Sequence, residues 1–150
     1  MINQFQNEFR FLSNMWKAKF LMYQNRQMRL WKSSEHFYQA HKFEGEHFEN
    51  VYNLESPYET KKYAKNNAKY IIPIWDDIKD DVMAEAVLNK FTQNYDLKLL
   101  LINTTPHYLV EGNTWCDNYW GNCSCGYCTN IEGQNKLGIT LMAVRNILTK

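Results

Sequence analysis

Apolar positions recur along the chain with changing period, and each period predicts an element. Between Ala18 and Trp31 the run AKFLMYQNRQMRLW reads as two short strands around Gln24-Asn25-Arg26, a hairpin. Ser33 or Ser34 then offers an N-cap before EHFYQAHKFEG, which predicts a helix that Gly45 stops. The Ser56-Pro57 pair repeats the start signal as N-cap and N1, and YETKKYAKNNA continues it. A third helix is the clearest: Trp75, Ile78, Val82 and Ala86 recur at helical spacing, while Asp76, Asp77, Asp80, Asp81 and Glu85 fill other faces. LKLLLIN reads as a short apolar helix, and HYLVEG after Pro106 as a strand. A last helix is expected from about Asn135 to the end, with Leu137, Leu141, Val144 and Leu148 on one stripe. Helices dominate and the sheet is small and mainly antiparallel, so the predicted class is α+β.

No repeat, low-complexity block or Pro/Gly-rich linker divides the 150 residues, which predicts a single domain over 1–150. Such a chain buries roughly 70% of its unfolded surface and needs no disulfides. A charged-then-apolar leader and an apolar run near 18 residues are both lacking, so the expectation is a cytoplasmic protein with no membrane partner. The net charge of +1 gives no general attraction for a polyanion. Aromatic content changes the picture, because 5 Trp, 10 Tyr and 8 Phe supply rings that build cores and also stack on flat heterocycles.

Two stretches carry candidate chemistry. In SEHFYQAHKF, Glu35, Gln39 and Lys42 fall at i, i+4 and i+7, so a continuous helix would align a carboxylate, an amide and an amine. Spacing alone favours a solvated polar face. The chemical alternative makes Glu35 an acid, base or cation stabiliser and a desolvated Lys42 a nucleophilic amine. His36, His41 and His47 lack metalloprotease spacing and suit packing or surface roles. The second stretch, EGNTWCDNYWGNCSCGYC, alternates rings with one carboxylate at Trp115, Asp117, Tyr119 and Trp120 before Gly121 turns the chain. Asp117 either caps backbone amides or serves a developing positive charge, and rings with one acid are what N-glycoside cleavage needs.

That second stretch also holds every cysteine. Cys123, Cys125 and Cys128 form C-x-C-x-x-C, seven residues after Cys116, and the choice lies between a structural zinc site and ordinary thiols. A redox pair at Cys125 and Cys128 lacks the surrounding βαβ pattern. Lys61, Lys65 and Lys69 read as one helical face able to meet a phosphate, or simply a solvated row. Ser13 and Asn14 in FRFLSNMW read as a loop or cap.

The pieces FRFLSNMW, SSEHFYQAHKF, PIWDDIKDDVM, LVEGNTWCDNYWG and GQNKLGITLMAVR, in this order over nearly the whole chain, resemble the NADAR (YbiA-like) family. That resemblance implies a YbiA-like α+β enzyme fold and cleavage of the bond between ribose C1 and nitrogen. The implied substrates are small N-ribosyl or ADP-ribosyl compounds: phosphoribosylamino-pyrimidine intermediates of riboflavin biosynthesis, or ADP-ribose on guanine bases of nucleic acid. Glu35 and Asp117 match its acidic positions and Lys42 its lysine; Trp75 and Trp120 match aromatic positions that hold substrate, and Asn14 the N-terminal asparagine. Gln39, Tyr119 and Gly121 join the expected substrate contacts. The resemblance also implies an imine between Lys42 and the opened ribose, with no cofactor for the chemistry. Cys116 stands where the motif is expected to carry histidine, a swap compatible with a zinc site or with a neutral change. A non-catalytic nucleotide-binding module is the alternative of another class, although binding alone does not need Glu35, Lys42 and Asp117 together.

Overall fold

The computed structural model describes residues 1–150 and divides them into two compact units, 14–94 and 1–13 with 95–150. Six α-helices dominate, so the mainly helical α+β class holds, and no helix is long and apolar enough to cross a membrane.

In the unit 14–94, β1 (Phe20–Gln24) and β2 (Gln27–Trp31) pair antiparallel. Asn25 and Arg26 both take positive φ, 51° and 64°, as the two-residue turn matching strand twist requires. Phe20 and Trp31 form the buried end of the ladder. The outer edge of β1 is occupied by one side chain: Gln93 accepts from the Leu21 amide and donates to the Leu21 carbonyl, both at 2.7 Å. A glutamine thereby substitutes for a neighbouring strand and blunts the edge.

Then follow α1 (Ser34–Ala40), α2 (Gly45–Asn53), α3 (Pro57–Asn66) and α4 (Trp75–Gln93). Caps explain the starts: Ser33 Oγ accepts from the His36 amide, and Ser56 Oγ accepts from the Tyr58 amide with Pro57 next. Helix α1 does not reach Gly45. The His41 ring bonds the Phe37 carbonyl, the Lys42 and Phe43 amides close tight bonds to Gln39 and Ala40, and Phe43 is thrown into the core at 2% exposure. Gly45, at φ +61°, instead opens α2, a helix that the sequence patterning did not indicate. Lys69 likewise leaves the predicted lysine face, for α3 ends at Asn66 and Lys69 lies in the 3-10 turn Ala68–Tyr70.

The core of this unit gathers on α1, whose seven residues are all buried. Trp31 meets Phe37, Tyr52 and Phe48 edge-on at 5.1, 4.9 and 5.7 Å. Arg29 lies over the Phe48 and Tyr52 rings and pairs with both oxygens of Glu49. Such a stacked, forked contact is one a lysine cannot reproduce.

In the other unit, α5 (Tyr95–Ile102) packs on α6 (Lys136–Leu148). Of the predicted stripe, Leu137, Leu141 and Val144 are buried there, while Leu148 at the helix end is half-buried. HYLVEG is not a continuous strand: Leu109 makes a parallel bridge with Ile2, and only Gly112–Asn113 (β3) pairs, in parallel, with Asn122–Cys123 (β4). Asn135, buried and left-handed at φ 49°, accepts from the Glu111 amide and donates to the Leu109 carbonyl. Its amide thus satisfies the backbone groups that a longer strand would have paired.

One buried titration follows from this packing. His36 Nε2 lies 2.8 Å from the Leu54 carbonyl, so it carries the proton, and Nδ1 accepts from the Ser33 hydroxyl at 2.6 Å. Burial holds its pKa below 6.5. Because the folded state resists protonation, this contribution is complete above the unfolded value and is lost as pH falls through the lowered folded one. Urea denaturation at about pH 7.5 and about pH 5 should therefore show falling stability. His36→Gln should start about 1–3 kcal/mol lower and lose less on acidification.

Candidate active site

Helix α1 brings Glu35 and Gln39 onto one buried face. They are 7% and 4% exposed, so the solvated face that spacing favoured is not what forms. Gln39 Nε2 donates to Glu35 Oε1 at 2.7 Å. That bond fixes the amide's orientation, since only the nitrogen can donate to a carboxylate. The opposite atom, Gln39 Oε1, is buried without any hydrogen-bond partner. An orphaned buried acceptor costs about 1–3 kcal/mol, and a ligand donor would relieve it.

Lys42 lies just beyond the helix, so it joins this pair through the closing turn rather than through a continuous i+7 column. Its carbonyl accepts from the Ile72 amide at 2.8 Å, which ties the turn to the approach of α4. The amine sits 5.2 Å from the Tyr38 ring centre and 6.0 Å from that of Trp75, and those rings meet edge-on at 5.0 Å. Burial against them lowers the amine's pKa; Glu35 pulls it back up, while Lys61 and Lys79 push it down. Desolvation dominates, and it is what turns a lysine toward nucleophilic chemistry.

Asn14 sets the entry to α1. Its carbonyl accepts from the Glu35 amide at 3.3 Å, its Oδ1 from the Ser34 hydroxyl at 2.8 Å, and its Nδ2 reaches Met83 Sδ at 3.2 Å. Asn14 thus ties the start of the segment that carries Glu35 to α4. Sequence reasoning passed over Ser34, Tyr38 and Met83 as parts of this site, because nothing in their spacing distinguishes them from core residues.

In the unit containing α6, the second stretch forms a hydrogen-bonded loop. Asp117 Oδ1 accepts from the Tyr119 and Trp120 amides at 3.1 and 2.9 Å, so the aspartate does cap backbone. Tyr119 and Trp120 meet edge-on at 5.0 Å, and Lys136 both donates to the Tyr119 hydroxyl and lies over its ring. Gly121 must be glycine: a Cβ there would overlap the Glu111 carbonyl. Buried Asn113, which sequence reasoning missed, accepts from the Trp115 and Asp117 amides and donates to the Asp117 carbonyl at 2.8 Å. Asparagines after a short strand suit such turns, but the type alone does not single this one out.

The thiols of Cys116, Cys123, Cys125 and Cys128 lie within 4.8 Å of one another, a cluster able to hold a metal ion. All four are free cysteines. Two are buried, Cys123 and Cys128, and Cys123 Sγ accepts from the Cys116 and Cys125 amides at 3.2 and 3.4 Å.

The chain's similarities agree with these features. The NADAR domain profile matches residues 2–149. N-glycosidase YbiA of Escherichia coli (strain K12) is 36% identical over 121 residues, 80% of this chain and 72% of that protein. N-glycosidase Npun_R5314 of Nostoc punctiforme is 37% identical over 119 residues, 77% of this chain and 72% of that one. The riboflavin biosynthesis protein VVA0006 of Vibrio vulnificus is 34% identical over 79% of this chain, a match covering 31% of that longer protein. The NMR structure of E. coli YbiA superposes with a TM-score of 0.78 at 29% identity, covering 99% of this chain and 87% of that one. With its profile spanning almost every residue and its fold shared, the chain belongs to the NADAR domain family.

Proposed function

We propose that this hydrolase of N-glycosyl bonds acts on phosphoribosylamino-pyrimidines of the riboflavin route, through an imine on Lys42. The observation carrying the reading is the desolvated Lys42 amine beside the buried Glu35–Gln39 pair. The similarity to N-glycosidases and to a riboflavin biosynthesis protein supports the substrate class.

In this mechanism the ribosylamine opens, and the neutral Lys42 amine attacks C1. Glu35 carries the proton from the attacking nitrogen to the departing one, and the pyrimidine leaves as its free amine. Water then adds to the Lys42 imine, releasing the sugar aldehyde and regenerating the amine. The unpartnered Gln39 oxygen is suited to accept from a substrate hydroxyl or amine, and the Trp75 ring offers a stacking surface. None of these steps calls for a metal or redox cofactor, so a zinc ion on the four cysteines has a structural role. Free thiols suit a reducing compartment, which fits a cytoplasmic enzyme. Because one family profile spans both compact units, we take residues 1–150 as one functional domain.

Mass spectrometry of products from a phosphoribosylamino-pyrimidine, and separately from an ADP-ribosyl-guanosine oligonucleotide, tests the assignment. Free pyrimidine from the first supports it, whereas turnover of the second alone transfers the activity to modified nucleic acid. Borohydride should trap the sugar on Lys42 during turnover, and Lys42→Ala should lose both adduct and activity; near-normal turnover of that variant excludes the imine. Glu35→Gln removes the charge that raises the Lys42 pKa, so the acid limb of kcat/KM should move to lower pH while the rate falls about 10²-fold or more. Asp117→Asn retains an oxygen for the Tyr119 and Trp120 amides, so folding should persist; loss of its charge should lower turnover about 10²-fold. An unchanged rate would leave Asp117 with the backbone alone.

A further inference from the structure

The cysteine cluster lies at the root of a backbone array that supports a helix. The first amides of α6 and those just before it have no acceptor within the helix, as at any helix start. Here the Gln134, Asn135, Lys136 and Leu137 amides donate to the Asn118, Gly121, Tyr119 and Trp120 carbonyls at 2.8, 3.1, 3.2 and 2.9 Å. Loop carbonyls thus do what a capping side chain does elsewhere, and indeed no side chain caps this end. The loop supplying them begins after Cys116 and ends at β4, in which Cys123 lies.

Several observations converge on these sulfurs. Zinc–sulfur bonds of about 2.3 Å in a tetrahedron place sulfurs about 3.8 Å apart. Cys116 and Cys125 stand 3.4 Å apart, and all four sulfurs fall within 4.8 Å, a range that includes that spacing. Cys116 holds φ 64°, a conformation that costs a residue with a side chain and is recovered when that side chain has a fixed task. The two amides directed at Cys123 Sγ are the donors that temper charge on a metal-bound thiolate. Asn118 Oδ1 accepts from the Cys123 amide at 2.9 Å, linking the sulfur cluster directly to the carbonyl-donating segment.

We propose that Cys116, Cys123, Cys125 and Cys128 bind one Zn²⁺, and that this ion locks the Asp117–Gly121 loop whose carbonyls cap the N-terminus of α6. Binding converts four thiols and one Zn²⁺ into a tetrathiolate complex of charge −2 and releases four protons, with no oxidant or reductant involved. The ion crosslinks the start of the loop to β4, so the capping carbonyls keep their positions without a side-chain cap.

Protein purified without a His-tag should contain about one equivalent of zinc by plasma mass spectrometry. After chelation under reducing conditions, Co²⁺ should restore the intense visible absorption of a tetrahedral tetrathiolate. Hydrogen exchange at Gln134–Leu137 should be at least about tenfold slower with Zn²⁺ than without it. Cys125→Ser, a change at a half-exposed thiol, should weaken the cobalt spectrum; should that variant fail to fold, the wild-type cobalt titration decides alone. Less than about a tenth of an equivalent of zinc with no cobalt spectrum overturns the site. A mass deficit showing a disulfide among the four cysteines overturns it equally. Bound metal that leaves exchange at α6 unchanged overturns the lock. Each readout concerns metal and backbone alone, so a failure here is distinct from a failure of the N-glycosidase assignment.

Discussion

Burying a seven-residue helix on every side is the constraint on which the unit 14–94 depends. Helix α1 carries Ser34, Glu35, His36 and Gln39 into an interior otherwise built of Trp31, Phe37, Ala40 and Phe43. Each polar group taken from water must find a partner. Ser34 turns to Asn14, His36 spans Ser33 and Leu54, and Glu35 takes the Gln39 amide. The Gln39 oxygen finds none, and in the surrounding core neither does Trp31 Nε1. Unmet hydrogen-bonding capacity next to a carboxylate and a desolvated amine is what a stable core avoids and what a reactive site has reason to keep.

The same economy of partners shapes the unit containing α6 by other means. Its regular pairing is brief, and asparagines extend it: Asn135 serves Glu111 and Leu109, Asn113 serves the backbone from Trp115 to Asp117, and Asn118 serves Cys123. Asp117 belongs to this system, as one of its oxygens organises the Tyr119 and Trp120 amides. A carboxylate held by two amides is fixed in direction.

Where local chemistry acts alone, the chain announces its structure. The Ser33 and Ser56-Pro57 starts, the Asn25-Arg26 turn, the long α4 and the apolar stripe of α6 all lie where spacing and capping place them. The end of α1 is different: residues 41–44 are acceptable in a helix, and the burial of Phe43 with the His41–Phe37 bond turns them out of it. HYLVEG fails for a related reason, since its partners are a single bridge and the Asn135 side chain rather than a neighbouring strand.

For the site, order and residue type were already informative. The resemblance of five ordered motif pieces to one family pointed to Glu35 and Lys42, whereas their spacing alone favoured a solvated polar face. Tertiary structure decided their environment: which face of α1 is buried, that Lys42 feels the charge of Glu35 from a turn, and that Tyr38 and Trp75 flank the amine. It also drew together four cysteines whose C-x-C-x-x-C spacing left the choice between a metal site and ordinary thiols open. Local propensity and capping act over a few neighbouring residues and can be read from the chain, whereas desolvation and the convergence of side chains arise only when distant segments exclude water together.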